Sequence, residues 1–429
     1  MRTNFIEELK WRGMLQDIMP GTEELLNKEM VTGYIGFDPT AESLGIGNMV
    51  QIMTLLHFQK AGHKPVALVG GATGMVGDPS GKSAERNLLD EATLEKNIAG
   101  QRKQLEKFLD FSGSNGAEIV NNYDWFKGFS FLEFIRDVGK HISVNYMMAK
   151  DSVKNRLENG MSFTEFSYQL VQGYDFFYLW KNRNVKLQMG GSDQWGNIVT
   201  GTELIRRKAG GEAFALTTPL IKKADGTKFG KTEGGNIWLD KEKTSVADFK
   251  NFWISASDQD IKTYFRIFSL KNREEVEALE KEHDSNPGKR VMQKELAKEI
   301  TVRVHSKEEY DKTEGNVKLF SIKTLEEYAA AYGNDEGINT LSSSGITTYD
   351  IPESAASEGI NIITLLADCK ELESKSNIKR LITAGALSVN FKKITGTDYM
   401  VGDSDKIGTG KKQFIVKYGN GKFLLFCSK

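Results

Sequence analysis

The chain has 429 residues, more than one hydrophobic core usually fills, so two or three domains are expected. Its 57 basic residues nearly balance its 58 acidic ones, which excludes a protein that coats polyanions by overall charge but leaves local RNA binding open. Two cysteines, Cys369 and Cys427, exclude a disulfide framework, and the sequence has no zinc-binding pattern, no secretory signal pattern and no apolar run of roughly 18 residues that could span a membrane. These features predict a cytoplasmic protein.

The first half of the chain alternates apolar strands with helices. Residues 31–37, 64–69 and 186–189 have the apolar runs of buried strands, and residues 47–60 and 195–207 have the apolar spacing of helices. Glycine or an Asp-Pro pair follows each strand. This order predicts an α/β fold with a Rossmann-like parallel sheet, whose ligands gather at the carboxyl ends of the strands.

We assign this Rossmann-like catalytic domain to residues 1–240. It is expected to carry a helical insertion near 118–158 and a mobile lysine-rich loop at 225–235. The insertion contains Trp125 and several phenylalanines, which favour a core or an interface over a cofactor site. Residues 241–333 have the charged faces of surface helices and are predicted to form a helical domain.

Residues 334–359 are rich in Ser, Thr, Gly and acidic side chains, which predicts a linker. Residues 360–429 combine a helix-turn-helix pattern at 362–384 with three short strands and form a small α+β domain. From residue 358 onward, twelve Lys or Arg stand against seven Asp or Glu, so this end of the chain is locally basic.

The first motif lies where the first strand passes into a helix. Asp38 and Thr40 follow the strand, and Gly45 and Gly47 precede Asn48 at the start of the helix. Glycines here let backbone N–H groups approach a triphosphate, which the helix dipole also favours. Taken alone, the motif fits an ordinary tight turn at least as well.

The second motif is a glycine-rich segment at 70–82 that contains Asp78 and Lys82 and is followed by Arg86. It is not a P-loop, because only three residues separate Gly77 from Gly81. An acidic Asp78 beside two cations suits a site that holds both an ammonium group and a phosphate. A flexible surface loop is the alternative.

The third motif consists of Tyr168, Gln172 and Asp175, whose spacing places all three on one face of a helix that begins after Ser162. Apolar residues surround them, and buried polar groups need partners. The face is therefore either a binding surface or a solvated polar stripe.

The fourth motif is the loop that contains Lys228, Lys231 and Thr232, with glycines at 226 and 230. Two lysines on a glycine-rich loop can close on a pyrophosphate group as its charge develops. On its own, such a charged loop is usually only a solvated loop.

Together, the four motifs have the order and spacing of the class I tyrosyl-tRNA synthetases of the bacterial type, which the chain resembles over nearly its whole length. Segments 33–40, 68–82 and 188–195 closely resemble that family, beginning with its first strand and tyrosine-binding turn. Segment 228–232 resembles the "KMSKS" element of the family, and segment 45–48 stands in the place of its "HIGH" element.

The resemblance implies an ATP-dependent ligase that converts tyrosine to tyrosyl-adenylate, releases pyrophosphate and transfers tyrosine to the 3′-terminal adenosine of tRNA(Tyr). The tyrosine carboxylate is already a nucleophile, so catalysis depends on positioning and charge stabilisation rather than on a general base. Mg²⁺ is implied on the pyrophosphate, without a metal site on the protein.

The resemblance also implies roles for individual residues. Tyr34 and Asp175 would bind the substrate phenol, and Asp78, Tyr168 and Gln172 its ammonium group. Gln188 would support the pocket and Gln194 would lie near the carboxylate. The residues implied in ATP binding, with Asp193 on the ribose, are Asp38, Thr40, Gly45, Gly47, Asn48, Asp193 and Lys231. The residues implied in stabilising the triphosphate are Lys82, Arg86, Lys228, Lys231 and Thr232.

The sequence departs from the family at Gly45, where the "HIGH" element usually has histidine. Glycine has no side chain to donate a hydrogen bond, although Asn48 at the fourth place still can. Loss of a transition-state donor elsewhere costs on the order of 10² to 10³ in rate. Either the cations therefore take over more of the ATP step, or the formation of tyrosyl-adenylate is slow.

The basic C-terminal domain resembles the αL RNA-binding motif of a ribosomal protein around 379–390. An ordinary basic appendage is the alternative. The resemblance implies tRNA binding through phosphate contacts and shape, and it implies a homodimer. The residues assigned to RNA binding are Lys379, Arg380, Lys392 and Lys393.

Three other functions stay open at this point. A tryptophanyl-tRNA synthetase shares the fold, but Tyr34 with Asp175 and the C-terminal domain argue against it. A nucleotidylyltransferase of the same superfamily would need no tRNA-binding domains. A noncatalytic RNA-binding factor derived from a synthetase gains some support from Gly45.

Overall fold

The computed structural model describes residues 4–80, 89–150, 153–154, 160–227, 229–232, 235–343, 346–351, 359–372, 374–407, 412–419 and 422–427. The chain forms two compact units, Met1–His305 and Ser306–Lys429.

A six-stranded sheet in the order β1-β6-β5-β2-β3-β4 lies at the centre of the first unit. Its strands are β1 Asp17–Ile18, β2 Thr32–Phe37, β3 Lys64–Val69, β4 Glu118–Asn121, β5 Val185–Gly191 and β6 Phe214–Thr218. All neighbouring strands run parallel except β1, which is antiparallel to β6. Because β2 pairs with β3 on one side and β5 on the other, the connections diverge there and leave a crevice at the carboxyl ends of β2 and β5.

Fourteen helices of the first unit have bounds that the structure describes. They are α1 Phe5–Arg12, α2 Thr22–Lys28, α3 Met49–Lys60, α4 Gly71–Val76, α5 Glu91–Phe108, α6 Tyr123–Phe126, α7 Phe131–Asp137, α8 Val144–Met148, α9 Phe163–Arg183, α10 Trp195–Ala209, α11 Val246–Ile254, α12 Asp258–Phe268, α13 Arg273–Ser285 and α14 Val291–Val304. Short 3₁₀ turns at Ile46–Asn48 and Ser192–Gln194 lead into α3 and α10, and a small hairpin joins β7 Lys231–Thr232 to β8 Gly235–Asn236.

The predicted strands and helices of the sheet are confirmed, and Ser162 is the N-cap of α9, where its hydroxyl accepts from the N–H of Glu165. The insertion predicted near 118–158 was wrong at its start. Residues 118–121 form β4, which pairs in parallel with β3 and buries Val120. Four residues are too few to show the alternation of apolar and polar side chains that predicts a strand. Their extended conformation is determined by pairing with β3.

The domain boundary predicted at residue 240 does not separate two units. Phe249, Trp253 and Phe265 in the helices that follow belong to the same buried cluster as Met53 and Phe58 beneath the sheet. The first unit therefore extends to residue 305, and the boundary predicted at 333 falls inside the second unit. The sequence did not predict this larger unit. The apolar faces of these helices indicate that the helices are buried, but they do not indicate which part of the protein the helices pack against.

The second unit contains a five-stranded sheet in the order β12-β11-β14-β15-β9 and a two-stranded sheet of β10 and β13. Its strands are β9 Thr347–Asp350, β10 Ile360–Asn361, β11 Leu387–Val389, β12 Lys392–Lys393, β13 Met400–Val401, β14 Gln413–Tyr418 and β15 Lys422–Cys427. Its helices are α15 Lys307–Ser321, α16 Leu325–Tyr332, α17 Asp335–Ser343, α18 Ile362–Leu366 and α19 Lys375–Thr383.

The predicted linker at 334–359 was wrong over its first part. Residues 335–343 form α17, and 347–350 form β9, an edge strand parallel to β15. Ile338, Leu341 and Ile346 are buried in the same cluster as Leu425. The segment is mostly polar, so its few apolar residues gave no clear pattern. They are buried only because they pack against the C-terminal sheet.

Successive side chains of β14 and β15 point to opposite faces of this sheet, because side chains alternate along a strand. They belong to two hydrophobic cores, one on each face. Phe414 and Leu424 pack with Ile378 on one face, whereas Ile415 and Leu425 pack on the other. In the described part of both units, none of the helices combines the length and apolar character that a membrane-spanning segment requires.

Candidate active site

A cavity of about 300 Å³ opens at the carboxyl ends of β2 and β5, in the crevice that the strand order creates. Every residue predicted for tyrosine binding lines it, and so does every described residue predicted for ATP binding except Gly45 and Lys231. The predicted residues in the lining are Tyr34, Asp38, Thr40, Gly47, Asn48, Asp78, Tyr168, Gln172, Asp175, Gln188, Asp193 and Gln194. The motifs therefore converge although up to 160 residues separate them in the chain.

Tyr34 and Asp175 lie at the buried end of the cavity, each 1% exposed. The phenol oxygen of Tyr34 has no hydrogen-bond partner among the described residues. Burial, and secondarily the nearby Asp175 carboxylate, raises the pKa of Tyr34 well above its usual value, so its hydroxyl stays neutral. A buried hydroxyl without a partner is costly unless a ligand supplies one.

The Asp175 carboxylate accepts two hydrogen bonds that hold it in place. Trp125 Nε1 donates to one oxygen at 2.9 Å, and Asn122 Nδ2 donates to the other at 3.0 Å. Burial raises the pKa of Asp175 to about 8, although these two donors oppose that rise by favouring the charged form. The result is a carboxyl group whose charge depends on pH near neutrality.

A chain of hydrogen bonds connects Asp175 with Tyr168 along the wall of the cavity. Asn122 also donates to the Thr73 hydroxyl at 3.1 Å, and Thr73 donates to Asp38 at 2.7 Å. The other oxygen of Asp38 accepts from the Tyr168 hydroxyl at 2.8 Å. Asp38 therefore orients Tyr168, a contact that the sequence interpretation of Asp38 as an ATP ligand did not include.

The start of the glycine-rich segment after β3 supports this network. A Cβ on Gly70 would lie 2.4 Å from the Asp38 carboxylate, so glycine is needed for the bond between Asp38 and Thr73. The first N–H groups of α4 donate to the side chains of Asn121 and Asn122. These donors at the helix start are thus already used within the protein.

Asp78 is 8% exposed and lies on the cavity wall beside the turn that follows β5. Gln194 Nε2 donates to one of its oxygens at 2.8 Å, and the N–H of Ser80 donates to the other at 2.9 Å. Asn197 supports this arrangement by donating to the hydroxyl of Ser80. A fixed negative charge here favours a cationic group in the cavity.

Of the glutamine side chains whose buried oxygens have no hydrogen-bond partner among the described residues, three are of interest here, those of Gln51, Gln172 and Gln188. All three residues line the cavity. Gln51 Nε2 donates to the Thr218 hydroxyl at 3.1 Å, which fixes that side chain. The cavity therefore offers acceptors for a ligand that brings several donors.

The "HIGH"-like segment forms a 3₁₀ turn before α3, and Asn48 closes back on it. The Asn48 side-chain oxygen accepts from the N–H of Gly45 at 3.0 Å, so the amide NH₂ group of Asn48 remains available as a donor. Gly45 lies outside the lining of the cavity and pairs instead with Trp238.

The predicted phosphate-binding cations are less fully placed. Lys82, Arg86 and Lys228 lie outside the described residues. The backbone of Lys231 and Thr232 forms β7 of the small hairpin. The triphosphate-binding roles of these residues stay predictions.

The four residues predicted for RNA binding are exposed in the second unit. Lys379 and Arg380 lie on α19, and Lys392 and Lys393 form β12. The Lys393 side chain passes over Gly385, which follows α19 with a φ of 62°. A side chain at Gly385 would be strained by this left-handed backbone conformation and would require the end of the Lys393 side chain to move aside.

The sequence interpretation missed several residues of the site, including Thr73, Asn122 and Trp125. Asn122 follows a short strand, and polar residues at the carboxyl end of a parallel strand are candidates for a ligand site. That signal was lost because β4 was assigned to the insertion. Trp125 was interpreted only as a core aromatic, and it does stack on Tyr178 at 4.5 Å while its N–H reaches Asp175.

This fold is that of the class I tRNA synthetases. A family model described as tRNA synthetases class I (W and Y) matches residues 26–320, and one for the tyrosine–tRNA ligase SYY-like C-terminal domain matches residues 345–426.

Curated relatives specify the amino acid. A tyrosine–tRNA ligase of Cytophaga hutchinsonii is 57% identical over 402 residues, which cover 93% of this chain and 94% of that protein. A tyrosine–tRNA ligase of Bacteroides thetaiotaomicron is 54% identical over 434 residues, covering 99% and 100%. The crystal structure of a C-terminally truncated mitochondrial tyrosyl-tRNA synthetase from Aspergillus nidulans matches with a TM-score of 0.67 and 30% identity, covering 74% of this chain and 94% of that one. The chain belongs to the tyrosine–tRNA ligase family.

Proposed function

We propose that this protein activates L-tyrosine with ATP to form tyrosyl-adenylate and pyrophosphate, and then transfers tyrosine to the 3′-terminal adenosine of tRNA(Tyr). The observation that carries the proposal is the unpartnered, buried phenol oxygen of Tyr34 beside the Asp175 carboxyl group. A tyrosine side chain fits there because its hydroxyl can donate to one group and accept from the other. Phenylalanine would leave both groups unsatisfied, which costs about 1–3 kcal/mol for each.

The ammonium group of tyrosine would lie toward Asp78, Tyr168 and Gln172. The carboxylates of Asp38 and Asp78 are both close enough to Tyr168 to raise the pKa of its phenol, after the larger effect of burial. A region with two carboxylates attracts a cation, and the Gln172 oxygen adds an acceptor. Gln188 would support the pocket, and Gln194 would lie near the tyrosine carboxylate.

ATP would occupy the part of the cavity lined by Thr40, Gly47, Asn48 and Asp193, with Asp193 on the ribose. A tyrosine carboxylate oxygen attacks the α-phosphorus, the bond to the bridging oxygen breaks, and pyrophosphate leaves with the electron pair. The carboxylate needs no proton removed, so the protein contributes alignment and charge stabilisation.

The cations of the two loops would neutralise the charge that develops on the pyrophosphate. We assign this role to Lys82, Arg86, Lys228 and Lys231, with a hydrogen bond from Thr232. Mg²⁺ would enter on the phosphate oxygens and add to the same neutralisation. The carboxylates of Asp38 and Asp78 accept hydrogen bonds within the protein, which fits a metal carried by the nucleotide better than one held by these side chains.

In the second step a ribose hydroxyl of the terminal adenosine attacks the tyrosyl carbonyl and displaces AMP. The second unit would hold the tRNA through its exposed Lys379, Arg380, Lys392 and Lys393, and the helical segment predicted at 241–333 would contact the anticodon region. Such contacts depend on phosphate charge and therefore weaken with salt. We place the reaction in the cytoplasm, where ATP, tyrosine and tRNA occur together.

We further propose that the protein is a homodimer. Six of the eleven large apolar side chains that the described residues expose lie in one stretch, and these are Phe131, Leu132, Ile135, Val144, Met148 and Phe163. Leu132 is 77% exposed. Such a concentration of exposed apolar side chains is typical of a protein interface, and a second copy of this chain is the partner proposed.

Tyrosine-dependent exchange of pyrophosphate into ATP tests the first step. We expect exchange with tyrosine and at least about 30-fold less with phenylalanine or tryptophan, because two unsatisfied buried groups cost at least about 2 kcal/mol together. Tyr34→Phe should reduce this discrimination while the protein stays folded. Exchange that tryptophan supports better than tyrosine, or no exchange with any amino acid, would refute the proposal, and charging of tRNA(Tyr) in the same preparation tests the second step.

A further inference from the structure

Phe229, in the lysine-rich loop, packs between two helices of the first unit. Its ring lies 5.0 Å from Tyr264, 5.4 Å from Phe268, 5.7 Å from Phe252 and 6.0 Å from Trp253. The contact with Phe268 is stacked, with 15° between the ring planes. We call the four partners, which belong to α11 and α12, the aromatic socket.

The socket is a rigid support because its members also pack on one another. Trp253 and Phe268 are fully buried, and their ring centroids are 5.0 Å apart. Phe252 meets Trp253 edge to face at 5.3 Å. The loop is also tied to α12 before Phe229, because the Asp260 carboxylate accepts from the N–H of Ala224 at 2.8 Å.

Directly after Phe229, the chain touches the start of α3. Gly230 has a φ of 82°, and a Cβ there would lie 2.7 Å from Ile46 and 3.3 Å from the N–H nitrogen of Gly47. Only glycine fits this turn and this close approach. The "KMSKS"-like segment therefore packs closely against the 3₁₀ turn of the "HIGH"-like segment, with no room between them for a side chain at Gly230.

The far side of the hairpin is joined to the same segment. Ile237 donates its N–H to the carbonyl of Gly230 at 3.2 Å, and its own carbonyl accepts from the N–H of Ile46 at 2.9 Å. Leu239 donates to the carbonyl of Leu44 at 2.9 Å. Lys231 thus begins a hairpin whose base is fixed between the socket and the start of α3.

We propose that Phe229 is a positioning residue for the ATP step, which sets the placement of Lys231 relative to Gly47 and Asn48 by anchoring the loop in the aromatic socket. This inference rests on the proposed function. Phe229 touches neither substrate in this role and acts only through the loop. Only Gly230 separates the anchor from the Lys231 backbone, so a shift of the ring is transmitted to the lysine backbone.

The expected loss of rate on removing the anchor can be estimated, because a lysine that stabilises developing charge must be placed accurately. A misplacement of about 1 Å at a reacting group can cost on the order of 10² in rate. A cavity of about 640 Å³ beside the hairpin, lined by Asn236, Ile237, Phe252 and Tyr264, leaves space into which an unanchored hairpin can shift. Tyrosine binding uses other elements of the protein and does not depend on this anchor.

The test compares full-length variants by the rate of tyrosyl-adenylate formation at saturating tyrosine, together with tyrosine affinity by calorimetry and Tm. We expect Phe229→Ala to lower the rate about 10²-fold and to raise the KM for ATP, with tyrosine affinity within about twofold of wild type. Phe229→Met should restore the rate to within about fivefold of wild type, because the flexible thioether side chain fills the socket and contacts aromatic rings.

Tyr264→Phe is the matched control, since it keeps the ring of a socket member and removes a hydroxyl without a hydrogen-bond partner in the described residues. Its rate should stay within about twofold of wild type. Phe252→Leu opens the socket from the other side and should slow the same step, but it should add little to Phe229→Ala because the contact is already lost.

Two results would overturn the inference. One is a Phe229→Ala rate within about threefold of wild type, and the other is an equal loss of rate and of tyrosine affinity, which would indicate a general structural role. Wild-type protein that makes no tyrosyl-adenylate would instead refute the proposed function on which the inference rests.

Discussion

Asp175 is held by two donors yet is buried strongly enough that its pKa rises to about 8. Burial favours its neutral form, whereas the hydrogen bonds from Asn122 and Trp125 favour its charged form. Because the two effects oppose each other, a bound ligand can change the protonation state of this carboxyl group. A substrate phenol that donates to Asp175 would favour its charged form. Tyrosine recognition in this protein is therefore linked to pH around neutrality.

The variant Asp175→Asn isolates this titration. Because the folded pKa of about 8 exceeds the ordinary value of 3.8, Asp175 contributes its full stabilisation below about pH 4, and that contribution is lost as the pH rises through 8. We expect the free energy of unfolding of the ligand-free wild type to decrease over this range by an amount that the asparagine variant lacks. Urea unfolding of both proteins across the range measures it, and identical pH profiles would contradict the prediction.

Gly45 is the position at which this chain departs from the family's histidine. A Cβ there would lie 3.4 Å from the carbonyl oxygen of Ile237 and 4.0 Å from Trp238, which are ordinary contacts, so the backbone can accept a side chain at this position. We expect Gly45→His to raise the rate of tyrosyl-adenylate formation about fivefold, as one added hydrogen bond would, with little effect on tyrosine affinity. Rapid-quench kinetics with parallel tyrosine titrations checks this; a tenfold change in tyrosine binding at an unchanged rate would refute it.

At the scale of elements, α12 links the N-terminus of the chain to the loop that carries Lys231. Its Tyr264 and Phe268 belong to the aromatic socket, and its C-terminal end is held by Arg12, which is 2% exposed. The guanidinium of Arg12 donates to three backbone carbonyls at or beyond that end, those of Arg266, Ser269 and Lys271. Positive charge at a helix C-terminus is favourable, and the orphan carbonyls need donors.

Removing this cap should destabilise the first unit. We expect Arg12→Ala to lower the free energy of unfolding by about 3 kcal/mol, because three carbonyls lose a charged donor. Arg102→Ala is the control, since that exposed arginine pairs with Glu106 on the surface of α5 and should contribute less than about 0.5 kcal/mol. Equal destabilisation of the two variants in urea unfolding would argue against the capping role.

At the scale of the whole molecule, exposed apolar side chains are concentrated in 131–163. Leu132→Asp places a charge where the proposed homodimer would bury this leucine, and we expect it to convert the dimer to a monomer at micromolar concentration. Because Leu132 is 77% exposed in the single chain, the fold should tolerate the change. Analytical ultracentrifugation measures the outcome. Phe111→Asp, an equivalent change at an exposed residue outside the stretch, should keep the wild-type state.

Much of the first unit could be predicted because its signals are local. The strands at β2, β3 and β5 are continuous apolar runs, and the spacing of Tyr168, Gln172 and Asp175 places them on one face of α9. Family resemblance then supplied the order in which these motifs meet. The convergence of twelve predicted residues on one cavity follows from the strand order, since parallel strands present their carboxyl ends on one edge.

Sequence by itself thus determined the fold class, the polar residues available for tyrosine and the departure at Gly45, because each depends on residue type and short-range spacing. Tertiary structure alone decided that β4 is a strand, that the helices at 246–304 share the core of the sheet and that 335–343 and 346–350 are packed rather than a linker. It also decided that Asn122 and Trp125 hold Asp175 and that Phe229 enters an aromatic socket. The physical reason is the same throughout. The role of a polar or aromatic side chain depends on the residues that it contacts, and these contacts are between residues that are distant in the chain.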